Sequence, residues 1–99
     1  MPTRKPTPSK LVLHLNLHRV HFAAIVAGTK KTEYRAYSPY WRRRIQDRRY
    51  DVIQFRNGYA TKAPAMTVEY RGYRVQGAGR NKVFAIRLGR LLEIQRWRS

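Results

Sequence analysis

From residue 11 the chain alternates. In LVLHLNL, Leu11, Leu13, Leu15 and Leu17 fall on one face, and Val12, His14 and Asn16 on the other. A period of two marks a half-buried strand. The pattern then changes in HRVHFAAIVAG, where Val20, Phe22, Ala23, Ile25, Val26 and Ala27 predict a short buried helix. Gly28 is placed to end it, because glycine takes positive φ without steric cost. Thr29 to Tyr37 turns from loop into strand, with Lys30 at the bend, Lys31, Glu33 and Arg35 on one face, and Thr32 and Tyr34 on the other. In SPYWRRRIQDRR, residues 38–49, Ser38 is a suitable N-cap and Pro39 suits the first turn of a second helix. Trp41 and Ile45, four apart, form its apolar stripe, and Arg42, Arg43, Arg44, Arg48 and Arg49 cover the remainder.

The second half reads as strands. YDVIQF (50–55) is one, closed by the turn pair Asn57-Gly58, and MTVEYRGYRV (66–75) is another, with Thr67, Glu69 and Arg71 sharing a face. QGAGRNK is a turn or loop. VFAIRLGRLLEIQRW divides at Gly89 into either two strands of a hairpin or one strand with a bulge. Strand, helix, strand, helix and then mostly strands predict a small α+β domain: a curved, mostly antiparallel sheet with two short helices. Ninety-nine residues without a repeat suit one such domain, over 10–99, with one modest core. The preceding residues 1–9, rich in Pro, Thr and Lys, read as a flexible basic arm.

Charge narrows the partners. There are 22 Lys and Arg against 5 Asp and Glu, a formal +17, and self-repulsion on that scale favours a polyanion as partner. Nucleic acid is the expected one. Sixteen of the cations are arginine, which forks onto phosphates and base edges and stacks on aromatic rings. There is neither a long apolar run nor a long amphipathic helix to suggest a membrane. Without cysteine there is no disulfide, thiolate nucleophile or cysteine zinc site, and the start of the chain lacks a secretory h-region. The expected compartment is the cytoplasm.

Candidate chemistry is sparse. His14, His18 and His21 have a spacing that holds a metal only on a helix, and the leucine alternation puts His14 in a strand, so no metal is expected. Gly77-Ala78-Gly79 is not a dinucleotide fingerprint, and no cofactor is expected. Basic residues recur along the chain interleaved with Tyr and Trp, a pattern suited to gripping phosphates and stacking unpaired bases. The candidate nucleic-acid-binding residues are Lys30, Lys31, Arg35, Tyr37, Tyr40, Arg42, Arg43, Arg44, Arg48, Arg49, Arg56, Glu69 and Arg71. The candidate catalytic residues are Lys30, Glu33 and Arg35. A lysine and a glutamate brought together can share a proton while the arginine stabilises developing negative charge. The same three residues can equally form a structural ion pair.

Gly28, Lys30, Glu33 and Arg35 fill every fixed position of GxKxxExR, and in this the chain resembles the ASCH domains, the activating-signal-cointegrator homology group of the PUA-like superfamily. LHLNLHRVHFAAIVAGTKKTEYR looks like the family's opening strand, helix and motif strand, and YDVIQF like its "GDxIxF" strand, with Tyr50 in place of the usual glycine. The resemblance covers residues 10 to about 95. It implies a small PUA-like β-barrel whose cleft near the motif binds RNA or a nucleotide. Some relatives are ribonucleases, and others are acetylcytidine amidohydrolases that carry a threonine where this chain has Glu33. Neither Thr29 nor Thr32 matches that position. The expected function is RNA binding in a basic cleft. The alternatives are hydrolysis in the same cleft, as a ribonuclease or an acetylcytidine amidohydrolase, and a non-catalytic basic structural or interaction protein.

Overall fold

Alternation becomes burial in β1 (Val12–Asn16), where Leu13 and Leu15 enter the interior and Leu17 follows them, while Leu11 stays 56% exposed at the outer end. The computed structural model describes residues 11–98, and the expected basic arm lies outside them. Helix α1 (Arg19–Val26) buries Phe22 and Ile25, one turn apart. Val20, expected inside, is 71% exposed. At 3.6 residues per turn it lies about 200° from Phe22, so a helix docked through one face turns it to solvent. Gly28 ends the helix at φ 82°, its N–H bonding back to Ile25 O at 3.0 Å.

β2 (Thr32–Ala36) leads to α2 (Pro39–Ile45), whose Ser38 Oγ accepts from Trp41 N at 3.3 Å and so caps one of the open N–H groups. This helix is shorter than the arginine run suggests. Gln46 is already extended and Asp47 takes φ 57°, a left-handed turn that Asp tolerates. Arg48 and Arg49 therefore lie beyond the helix, in the connection to β3 (Val52–Arg56). Tyr50 donates its hydroxyl to Arg44 O.

Asn57-Gly58 does not make a two-residue hairpin. The pair instead fastens a longer loop, residues 57–64, to the end of β1: Asn57 Nδ2 donates to Leu17 O at 2.9 Å, and Gly58 exchanges hydrogen bonds with the Asn16 side chain at 3.0 and 3.2 Å. β4 (Ala65–Gln76) and β5 (Val83–Gln95) form a long hairpin around a 3₁₀ turn, Gly79–Asn81. Gly89 thus lies in one continuous strand with a bulge, the second of the two expected arrangements. Pairing slips from Val68↔Leu91 to Tyr70↔Leu88, which leaves an extra residue on β5. A Cβ at Gly89 would come 2.6 Å from Arg71 Nε and 2.8 Å from Glu69 Cβ, so no larger residue fits the crossing.

The strands form one sheet in the order β1-β3-β4-β5-β2, parallel only between β1 and β3. Bulges increase local twist, and this sheet curls into a half-barrel with two short α-helices, a small α+β barrel-like fold. Phe22, Ile45, Ile53, Phe55, Phe84 and Ile86 are fully buried within it. Its two edge strands are β1 and β2, and the seam between them is where the motif lies. Among the described residues no helix is long and apolar enough to cross a membrane.

Candidate functional site

Glu33 faces inward on β2, paired in register with Ile86, and among the described residues is the one charged residue the interior accepts, at 5% exposure. A buried carboxylate needs compensation, and two cations supply it. Lys30 Nζ lies 3.2 Å from Oε1, and Arg35 donates Nε and Nη2 to Oε2 at 2.9 and 2.7 Å. Arg35 Nη2 also donates to the Asn16 carbonyl at 2.9 Å, so this one guanidinium ties edge strand β2 to edge strand β1 across the open seam. Its Cζ lies 4.9 Å from the Trp41 ring centroid. The remaining nitrogen, Nη1, has no hydrogen-bond partner among the described residues.

Arg35 divides two hollows. On one side is a cleft of about 660 Å³ lined by His14, Asn16, Arg35, Tyr40, Trp41, Gln54, Arg56, Tyr59 and Thr61. Tyr59 stands 92% exposed on the loop that Asn16 pins in place, and Tyr40 is half-exposed with the Arg44 guanidinium 3.5 Å from its ring centroid. Arg56 braces the same loop through Nη2 to Ala60 O at 2.6 Å. On the other side is a recess of about 310 Å³ bordered by Glu33, Arg35, His18, His21 and Tyr34. Both Glu33 oxygens are thus engaged by cations, and the carboxylate borders the smaller hollow, not the cleft.

The expected binding residues fall in three places. Arg35, Tyr40 and Arg56 meet at the seam cleft. Lys30, Lys31 and Arg71 line a groove of about 620 Å³ over the β4–β5 bulge, with an aliphatic floor that includes Val68 and Leu91. Glu69 is tied there, accepting from Arg71 Nη2 at 3.1 Å and Arg90 N at 2.9 Å. The Arg90 backbone N–H, and then the Arg71 guanidinium, hold its carboxyl below the ordinary 4.5. Tyr37, Arg42, Arg43, Arg44, Arg48 and Arg49 belong to a third surface, around α2 and the root of the long hairpin. Tyr37 packs on Phe84 at 4.9 Å and carries Arg42 and Lys82 at 5.0 and 4.6 Å from its ring centroid.

The histidines separate as well: His14 lines the cleft, whereas His18 and His21 border the recess. Among the described residues no three His, Asp or Glu side chains are grouped to hold a metal. Asn16, Gln54, Tyr59 and Thr61 are cleft residues that the sequence pattern does not single out, and it marks His14 only as a candidate metal ligand. The polar positions alternating with leucine in β1 hint at His14 and Asn16 alone. A further isolated feature is the Tyr70 hydroxyl, buried without a partner among the described residues, whose pKa is pushed up to about 12 by burial first and then by Tyr73 and Tyr50. No protein-family model matches this chain, nor does any curated protein or solved structure.

Proposed function

We propose that the protein is an RNA-binding domain of the ASCH type that takes an unpaired nucleotide of a single strand in the seam cleft. The observation that carries this reading is the makeup of the cleft. Tyr40, Trp41 and Tyr59 offer ring faces, and Arg35, with one guanidinium nitrogen unengaged, and Arg56 bring positive charge to the same 660 Å³. A base stacked on an exposed ring gains about 1–3 kcal/mol, and neighbouring guanidinium groups attract the phosphates that flank it. The formal charge of +17 favours a polymer over a free nucleoside. The GxKxxExR resemblance supports the same placement, because Glu33, itself paired with Lys30, holds Arg35, the motif residue that lines that cleft.

The test is a salt titration of affinity for oligouridine, with Tyr59→Ala and Tyr40→Ala beside the unmodified protein. The expected slope of log affinity against log salt is about −0.7 for each phosphate neutralised. Each exposed tyrosine contributes on the order of tenfold in affinity. A flat salt response, or tyrosine variants that bind as well as the parent, would show that the cleft is not the site.

A further inference from the structure

The β4–β5 hairpin runs on past the last β3 pairing, at Glu69, with β2 beside it as far as Val83, and its turn, residues 77–81, lies beyond that pairing. From Arg74 through Lys82 every residue is exposed, and the segment is strongly basic with no acidic residue. Pairing of Arg74 with Ala85 and of Val75 with Phe84 places Arg74 on one face of the ribbon and Val75 on the other, with Arg80 in the 3₁₀ turn at the tip. Lys82 lies over Tyr37, on the side of α2. The ribbon therefore shows cations on one face, at the tip and on the flank that meets α2. Gly77 keeps the tip narrow: it takes φ 84°, and a Cβ there would lie 2.5 Å from Asn81 O.

Next to this tip stand the α2 arginines. Tyr37 N donates to Lys82 O at 3.0 Å and Asp47 N to the Tyr73 hydroxyl at 3.2 Å, which join the helix end to the hairpin root. The Arg42 and Lys82 heads share the Tyr37 ring, so they are no more than about 10 Å apart, near one Debye length at 0.1 M salt. Asp47 is the one carboxylate beside them, and it lies beyond 4.0 Å of any cation among the described residues. Cations held together without a counter-charge raise the cost of the empty face and lower it when an anion arrives.

We infer that this face binds a nucleic-acid duplex, with the hairpin tip entering a groove and the α2 arginines on the flanking phosphates. The inference concerns a different surface from the seam cleft and does not rest on single-strand binding there. The narrow turn of residues 77–81, which lies beyond the β2 pairing, fits a groove such as the roughly 12 Å major groove of B-DNA, with Lys82 and the α2 arginines beside it meeting the flanking phosphates. A protein partner fits less well, because protein interfaces centre on large apolar or aromatic anchors. The tip has none beyond Val75, which is 38% exposed.

The experiment compares the full chain with Arg74→Ala/Arg80→Ala/Lys82→Ala on three probes: a short blunt DNA duplex, the RNA duplex of the same sequence, and oligouridine. A second variant, Lys62→Ala/Arg87→Ala/Arg90→Ala, removes the same charge from exposed positions elsewhere. Circular dichroism confirms the fold of each. The tip variant is expected to lose about tenfold or more in duplex affinity, with the salt slope reduced by about 2 to 3, and to change oligouridine binding less than twofold. Loss confined to one duplex assigns the face to that helical form. The inference is overturned when the unmodified chain binds neither duplex, or when the two variants weaken duplex binding equally. Retention of oligouridine binding in those cases leaves the seam reading intact, and its loss in the unmodified chain defeats that reading alone.

Discussion

Around Glu33, two cations share one buried carboxylate; around Tyr37, two cations share an aromatic ring and no carboxylate. The first arrangement compensates its charge internally, and its geometry closes the seam between β1 and β2. The second leaves its charge to be met from outside. Both sites are rich in arginine, lysine and tyrosine, so composition does not separate them. Burial does. An interior charge without a partner is too costly to keep, whereas exposed cations are solvated and can remain unpaired until a polyanion displaces the water.

The largest expected effect breaks the first site. Glu33→Gln leaves Lys30 and Arg35, each less than a fifth exposed, without their counter-charge, and the expected cost is about 3 kcal/mol by urea denaturation. A loss under about 0.5 kcal/mol would mean that the ion triad does not hold the seam.

Tyr70→Phe sharpens the comparison from the other direction, because here a buried polar atom has no hydrogen-bond partner among the described residues. Removing the hydroxyl is expected to stabilise the protein by about 1 kcal/mol. Tyr70 is raised to about 12 from an ordinary 10, so the folded state holds its proton more tightly than the unfolded chain does. Stability is therefore expected to fall as pH rises from 10 to 12, less steeply in the variant. Alkaline denaturation curves that superimpose would contradict this.

Glu69 forms the more exposed counterpart of the Glu33 triad, and its lowered carboxyl pKa contributes stability above 4.5 that is lost as pH falls through the folded value. Glu69→Gln is expected to flatten the acid limb of the stability profile by less than the Tyr70 change moves the alkaline one. The smallest effect belongs to the basic ribbon: Arg74→Ala/Arg80→Ala/Lys82→Ala is expected to leave stability within about 0.5 kcal/mol of the parent by urea denaturation. A larger loss would make those residues structural.

Local patterns carried much of the fold. Leucine alternation marked β1, Gly28 marked the end of α1, Ser38-Pro39 marked the start of α2, and the bulge at Gly89 was one of two stated options. The errors arose where distant residues decide. Asn57-Gly58 has the local signature of a hairpin turn, but its polar groups serve β1. The arginine run has the length of a longer helix, but the chain must turn at Asp47 to feed β3. Tyr40 and Tyr59 are far apart in sequence and meet only because the pinned loop folds over the seam.

By itself the sequence determined the charge, the apolar periodicities, the α+β order of elements and the grouping of Lys30, Glu33 and Arg35, since each depends on residue identity and near-neighbour spacing. Only the tertiary structure decided that Glu33 is buried, that Arg35 spans the seam, that the cleft gathers β1, α2 and a loop, and that the hairpin turn lies beside α2. Those outcomes depend on sheet order and strand register, which are set by contacts between segments tens of residues apart. A one-dimensional pattern carries no distance between them.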